Sequence, residues 1–128
     1  METILLVEDN PNQAMLYGEE LAEEGYRVLW AKDGRAALDI VREGQPDAMV
    51  FDICLADTDG PEVLRAILQI WPNLPVIVNT ASPTLPHLFS NGVAWAWVLK
   101  SSDLSELKRC IREALCACDT TKTFKGQA

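Results

Sequence analysis

At 128 residues, with 48% hydrophobic and 23% charged side chains, the chain has the length and composition of one domain that buries a single sizeable core. A net charge of −8 argues against direct nucleic-acid binding, which draws on clustered Lys and Arg. No apolar stretch approaches the roughly twenty residues of a membrane span, and no basic, cleavable leader opens the sequence, so a cytoplasmic protein with no membrane partner is expected.

The first element is Thr3–Val7, a continuous apolar run that reads as a strand buried on both faces and ends in two acids, Glu8 and Asp9. Asn10 then offers an N-cap and Pro11 the first helical position. Ala14, Met15, Gly18, Leu21 and Ala22 recur at helical spacing as the inward stripe, Glu19, Glu20, Glu23 and Glu24 point outward, and Gly25 stops the helix. Tyr26–Trp30 is a short, partly polar strand suited to a sheet edge. Asp33 caps a second helix with Ala37, Leu38 and Val41 inward, closed by Gly44 and Pro46.

The third strand, Met49–Phe51, runs into Asp52 and the turn chemistry of Asp57-Thr58-Asp59-Gly60. Pro61 opens a third helix with an apolar stripe of Val63, Leu64, Ile67, Leu68 and Trp71, and Pro72 prevents its continuation. Val76–Asn79 forms a fourth strand ending at Thr80. Pro83 and Pro86 leave only residues 87–90 for a fourth helix, which is expected to be short or displaced. His87, the sole histidine, is expected on its surface. Ala94–Leu99 is a fifth strand that delivers Lys100. Ser102 or Asp103 caps a fifth helix with Leu104, Leu107, Ile111, Leu115 and Cys118 along one face. Residues 119–128 show no periodicity and read as a flexible tail behind a domain spanning 1–118. The four cysteines, Cys54, Cys110, Cys116 and Cys118, form no C-x-x-C set, which favours buried or helix-end thiols in a reducing compartment.

Five strands alternating with five helices imply an α/β domain with one parallel sheet covered on both faces by right-handed crossovers. In such sheets ligands collect at the carboxyl ends of the strands, where Glu8, Asp9 and Asp52 all fall if the first and third strands are neighbours. Unit charges about 4 Å apart repel by roughly 4 kcal/mol at an effective dielectric near 20, so the trio calls for a cation. Oxygen-only donors with no neighbouring His suit Mg²⁺ better than zinc.

With these features the sequence resembles the receiver domain of two-component response regulators. The matching residues are Glu8-Asp9 after the first strand, Asp52 after the third, Asp59-Gly60 in the following loop, Thr80-Ala81 after the fourth and Lys100 after the fifth. The resemblance covers residues 1 to about 118. It implies a flavodoxin-like, doubly wound sheet of order 2-1-3-4-5. It also implies that Asp52 accepts a phosphoryl group from the phosphohistidine of a sensor histidine kinase or histidine phosphotransfer protein. Glu8, Asp9, Asp52 and the backbone carbonyl of Cys54 would hold Mg²⁺, Glu8 through water, while Lys100 and the Thr80 hydroxyl engage phosphoryl oxygens. Trp97 matches the aromatic switch position that responds to Thr80.

The implied partner face is the fourth helix, fifth strand and fifth helix, open to a downstream protein, an output domain or a second copy. The resemblance implies a phosphorylated signalling domain of a phosphorelay rather than a turnover enzyme. With no output domain after the fifth helix, the message is expected to pass by contact or phosphotransfer, unless the chain is a fragment of a longer protein. Three departures stand out. Ala56 and Ser101 replace prolines common in the family, and Trp97 is bulkier than the usual Tyr or Phe. Ser101 leaves the peptide after Lys100 either trans with a rearranged loop or cis. The two altered loops, with the proline-bracketed fourth helix, motivate a second reading, a constitutive interaction module with the same fold and no switch. An Asp-x-Asp hydrolase ranks behind both, because Cys54 occupies the position of its second acid. A flavin site ranks behind as well, since Glu8-Asp9 would repel the phosphate.

Overall fold

The computed structural model describes residues 1–44, 46–51, 60–80, 96–99 and 103–127, apart from the side chains at 60, 61, 80, 97 and 117–127. These contain β1 (Thr3–Val7), α1 (Pro11–Glu23), β2 (Arg27–Ala31), α2 (Gly34–Glu43), β3 (Ala48–Phe51), α3 (Gly60–Ile70), β4 (Val76–Thr80), β5 (Ala96–Leu99) and α4 (Ser105–Gln127). The strands form one parallel sheet in the order β2-β1-β3-β4-β5, the doubly wound arrangement of a flavodoxin-like receiver. The helix here called α4 is the fifth of the sequence reading. The short helix expected at 87–90 lies outside the described residues, as do His87, Cys54 and the peptide between Lys100 and Ser101.

Side chains alternate across the sheet and divide the core in two. Leu5, Val7, Met49, Phe51, Val76 and Val78 pack beneath α2 and α3, against Val41, Leu64 and Ile67. Ile4, Leu6, Val50, Ile77 and Val98 pack beneath α1 and α4, against Leu21, Leu107 and Ile111. β3 is apolar at every position, and β1 at every position after Thr3, because both of their faces are covered. Each fully buried Leu, Ile or Phe contributes roughly 1.5–3 kcal/mol.

The helix ends follow their cap chemistry. The Asn10 side chain accepts hydrogen bonds from the Asn12 and Gln13 N–H groups at 2.9 and 3.3 Å, and Asp33 accepts from Ala36 N–H at 2.8 Å. Gly25 takes a φ of 95°, a left-handed turn open to glycine, and swings the chain from α1 into β2. Asp103, one of the two expected caps, accepts from Ser105 N–H at 3.0 Å, and Ser102 lies outside the described residues. Hydrogen bonds from the Ser105 side chain and then from its backbone N–H lower the Asp103 pKa.

Three details depart from the expectations. The buried stripe of α1 is Ala14, Tyr17 and Leu21, whereas Met15 is 65% exposed and Ala22 also faces solvent. Both line an open cavity between α1 and Val28 and Trp30 of β2, and because β2 is an edge strand no further strand closes it. β2 itself is one residue later than expected, at Arg27–Ala31. The last helix does not end near 118; it continues through Gln127, a length of about 34 Å for 23 residues. Residues 119–127 contain no proline, so nothing there removes a helical hydrogen bond and the helix propagates.

Ion pairs join α1 and α4 on the solvent side, Glu20 to Lys108 at 2.7 Å and Glu24 to Arg112 at 3.3 Å. The hydrogen bond that Lys108 donates to Glu20 is the main reason the Lys108 pKa is raised. Cys110, buried beneath α4, has its thiol pKa pushed up by that burial and serves as a small core residue, while Cys116 is exposed. Ile111 is fully buried between α4 and the sheet. Ile111→Ala is expected to cost about 2–5 kcal/mol of stability, measured as a lower urea midpoint with unchanged m-value.

Candidate functional site at the carboxyl edge of the sheet

The register sets one row across the sheet: Ala31, Val7, Phe51, Val78 and Trp97 lie opposite one another in turn. Every strand runs the same way, so residues beyond this row gather at one rim. On β1 these are Glu8 and Asp9. On β4 they are Asn79, which is buried, and Thr80, whose backbone pairs with Leu99. Asp52 and Lys100 directly follow Phe51 and Leu99 in the chain but lie outside the described residues, together with Cys54. The side chains of Thr80 and Trp97 are not described either, so only their backbone positions in β4 and β5 are established.

Glu8 is the most unusual acid in the described chain. It is 1% exposed, following four buried residues of β1, whereas Asp9 is half-buried. A carboxylate seldom leaves solvent without hydrogen bonds to replace water. One carboxylate oxygen accepts the Asn10 N–H at 3.2 Å. The Glu8 N–H donates to the Ala31 carbonyl at 3.0 Å, extending the β1–β2 ladder by a step, and the Glu8 carbonyl accepts the Trp30 indole N–H at 2.8 Å.

The acidic loop is thus attached on three sides, to β2, to the start of α1 and to β1 itself. Trp30 was read from sequence only as part of a partly polar edge strand. A tryptophan on an edge strand, close in the fold to an acidic loop, was the available signal.

The donor chemistry at this rim is all oxygen. Two adjacent carboxylates, one of them almost wholly withdrawn from water, suit a hard divalent cation, with a third acid due one residue past Phe51. Among the described residues no group of three metal-ligating side chains is complete.

A family model of the response regulator receiver domain matches residues 4–112. The chain belongs to this family and is a receiver domain of two-component response regulators, a signalling domain. Among individual proteins it resembles sporulation initiation phosphotransferase F of Bacillus subtilis, with 31% identity over 89% of this chain and 94% of that protein. It is 37% identical to the probable transcriptional regulatory protein TcrX of Mycobacterium tuberculosis, over 97% of this chain and 54% of that protein. It is also 30% identical to the transcriptional regulatory protein GlrR of Escherichia coli, over 88% of this chain and 26% of that protein. The chain therefore spans between a quarter and about half the length of these two transcriptional regulators.

Among solved structures it superimposes on the response regulator TrrA of Thermotoga maritima, in complex with Mg²⁺ and BeF, with a TM-score of 0.84. Identity there is 33%, covering 89% of this chain and 99% of that one. No helix among the described residues is long and apolar enough to cross a membrane.

A buried acid beside a second acid stores repulsion that a neutral isostere releases. Glu8→Gln is accordingly expected to raise the thermal midpoint of the metal-free protein by about 2–6 °C. Differential scanning calorimetry in a chelating buffer measures it, and a lower midpoint would contradict the electrostatic reading of this loop.

Proposed function

We propose that this receiver takes a phosphoryl group onto Asp52 from the phosphohistidine of a sensor histidine kinase or a histidine phosphotransfer protein. A carboxylate oxygen of Asp52 attacks phosphorus in line. The new O–P bond forms as the N–P bond to the donor imidazole breaks, and the imidazole nitrogen retains the electron pair. Glu8 (through water), Asp9, Asp52 and the Cys54 carbonyl would hold Mg²⁺, which would supply charge neutralisation on the phosphoryl oxygens and between the acids. Lys100 contributes a fixed positive charge and Thr80 a hydroxyl donor toward the same oxygens.

The observation that carries this reading is the almost complete burial of Glu8 at the end of β1, in a chain whose family membership is established. The Mg²⁺ and BeF in the Thermotoga relative lend it support.

Residues 1–118 form the receiving unit in this proposal, and the domain cycles between phosphorylated and free forms rather than turning over substrate. Movement of Thr80 toward the phosphoryl group is read out through Trp97. The message passes to a downstream protein, an output domain or a second copy across the face built by the segment before β5, β5 itself and α4. A charge of −8 keeps the domain itself from binding nucleic acid, and its kinase and targets meet it in the cytoplasm.

Incubation with acetyl phosphate and Mg²⁺ is expected to add one phosphoryl group by intact-mass spectrometry. The adduct should be absent from Asp52→Asn and in excess chelator. An adduct that persists in Asp52→Asn, or none in the wild type, would overturn the assignment.

A further inference from the structure

We infer that Trp30 is a positioning residue for the proposed cation site, acting through the main chain of Glu8. The inference rests on that site and adds to it a residue with no ligand atom of its own.

In a parallel ladder, a residue that donates its N–H to one neighbour receives at its carbonyl a donor from two residues further along the partner strand. Glu8 donates to Ala31, so its carbonyl would next be met by the N–H of residue 33. By then the chain has left β2, since Asp33 is the N-cap of α2. The indole N–H of Trp30 takes that place at 2.8 Å. A side chain thereby extends the ladder one step beyond the end of the strand, at the residue where the acidic loop begins.

The ring is held where it can do this. Val28 and Trp30 share the face of β2 toward α1, and there the indole lines an apolar cavity with Pro11, Met15 and Gly18. Pro11 follows the Asn10 cap directly, so the ring is bonded to Glu8 at one end of the acidic loop and shares its cavity with Pro11 at the other. The indole is nevertheless 47% exposed, and core packing does not account for its position.

Fixing the Glu8 carbonyl restrains ψ of Glu8 and φ of Asp9, the main-chain torsions that set where the two carboxylate side chains start. Residues that orient ligands in this way contribute to metal affinity although they never touch the ion.

The test compares wild type, Trp30→Phe and Met15→Ala by isothermal titration with MgCl₂, together with amide hydrogen exchange at Glu8, Asp9 and Asn10 in the metal-free protein. Trp30→Phe keeps an aromatic ring in the cavity and removes the donor. Met15→Ala trims the same cavity without contacting Glu8. Trp30→Phe is expected to weaken Mg²⁺ binding roughly tenfold, the low end for residues that orient metal ligands, and to speed exchange in the loop. Met15→Ala should bind as wild type does.

Wild-type affinity in Trp30→Phe, a change in its thermal midpoint alone, or an equal loss in Met15→Ala would overturn the positioning role while leaving the cation site standing. A wild-type protein with no affinity for Mg²⁺ would overturn both.

Discussion

The structure turns on one costly placement, a carboxylate almost entirely removed from solvent at the end of a strand buried on both faces. The apolar character of β1 and β3 is what creates it. Because Leu5, Val7, Met49 and Phe51 face one layer of helices and Ile4, Leu6, Ala48 and Val50 the other, neither strand can shift register without exposing core to water. The rim of the sheet is then fixed, and whatever follows Val7 must sit there. Glu8 tolerates the position because its N–H, its carbonyl and its carboxylate are each hydrogen-bonded within the loop or to β2. Hydrophobic burial supplies the location, and hydrogen bonding makes a charged group bearable in it.

Much of this was legible in the sequence where local chemistry decides the outcome. β1 spans Thr3–Val7 as its apolar run indicates, and α2 lies between its Asp33 cap and Gly44. Asn10, Pro11 and Gly25 frame α1 for stated steric and hydrogen-bonding reasons. What local chemistry does not encode was harder to read. The strand order came from family resemblance, since periodicity reports faces and not neighbours. The stripe of α1 was misjudged because Met15 and Ala22 have core-like spacing, but they line an open cavity at the edge strand. The length of α4 was underestimated because absence of periodicity was taken as absence of helix, whereas a chain without proline can continue one already nucleated. Of the candidate site, Glu8 and Asp9 stand at the rim as expected. Asp52, Cys54 and Lys100, with the side chains of Thr80 and Trp97, lie outside the described residues, and their roles rest on motif and family.

The relatives show a single unit in different contexts. The same stretch fills nearly all of the Bacillus phosphotransferase and about a quarter of the Escherichia coli regulator. The shared length is the sheet with its rim. The surfaces laid over it are free to differ, and in this chain the two flanks of α1 contrast sharply. One is tied to α4 by the Glu20–Lys108 and Glu24–Arg112 pairs. The other is apolar and overhangs the edge of the sheet.

That second flank bears on how an open sheet edge is managed. An edge strand with unpaired backbone groups invites pairing with other chains, and β2 opens on a charged, exposed residue, Arg27. Trp30 adds something a charged residue could not. Its ring covers part of the apolar flank of α1, and its indole N–H is turned inward to the Glu8 carbonyl. The side chain that lines the cavity between α1 and the edge strand is therefore the one bonded to the acidic loop, and a change made in that cavity reaches the rim through a single hydrogen bond.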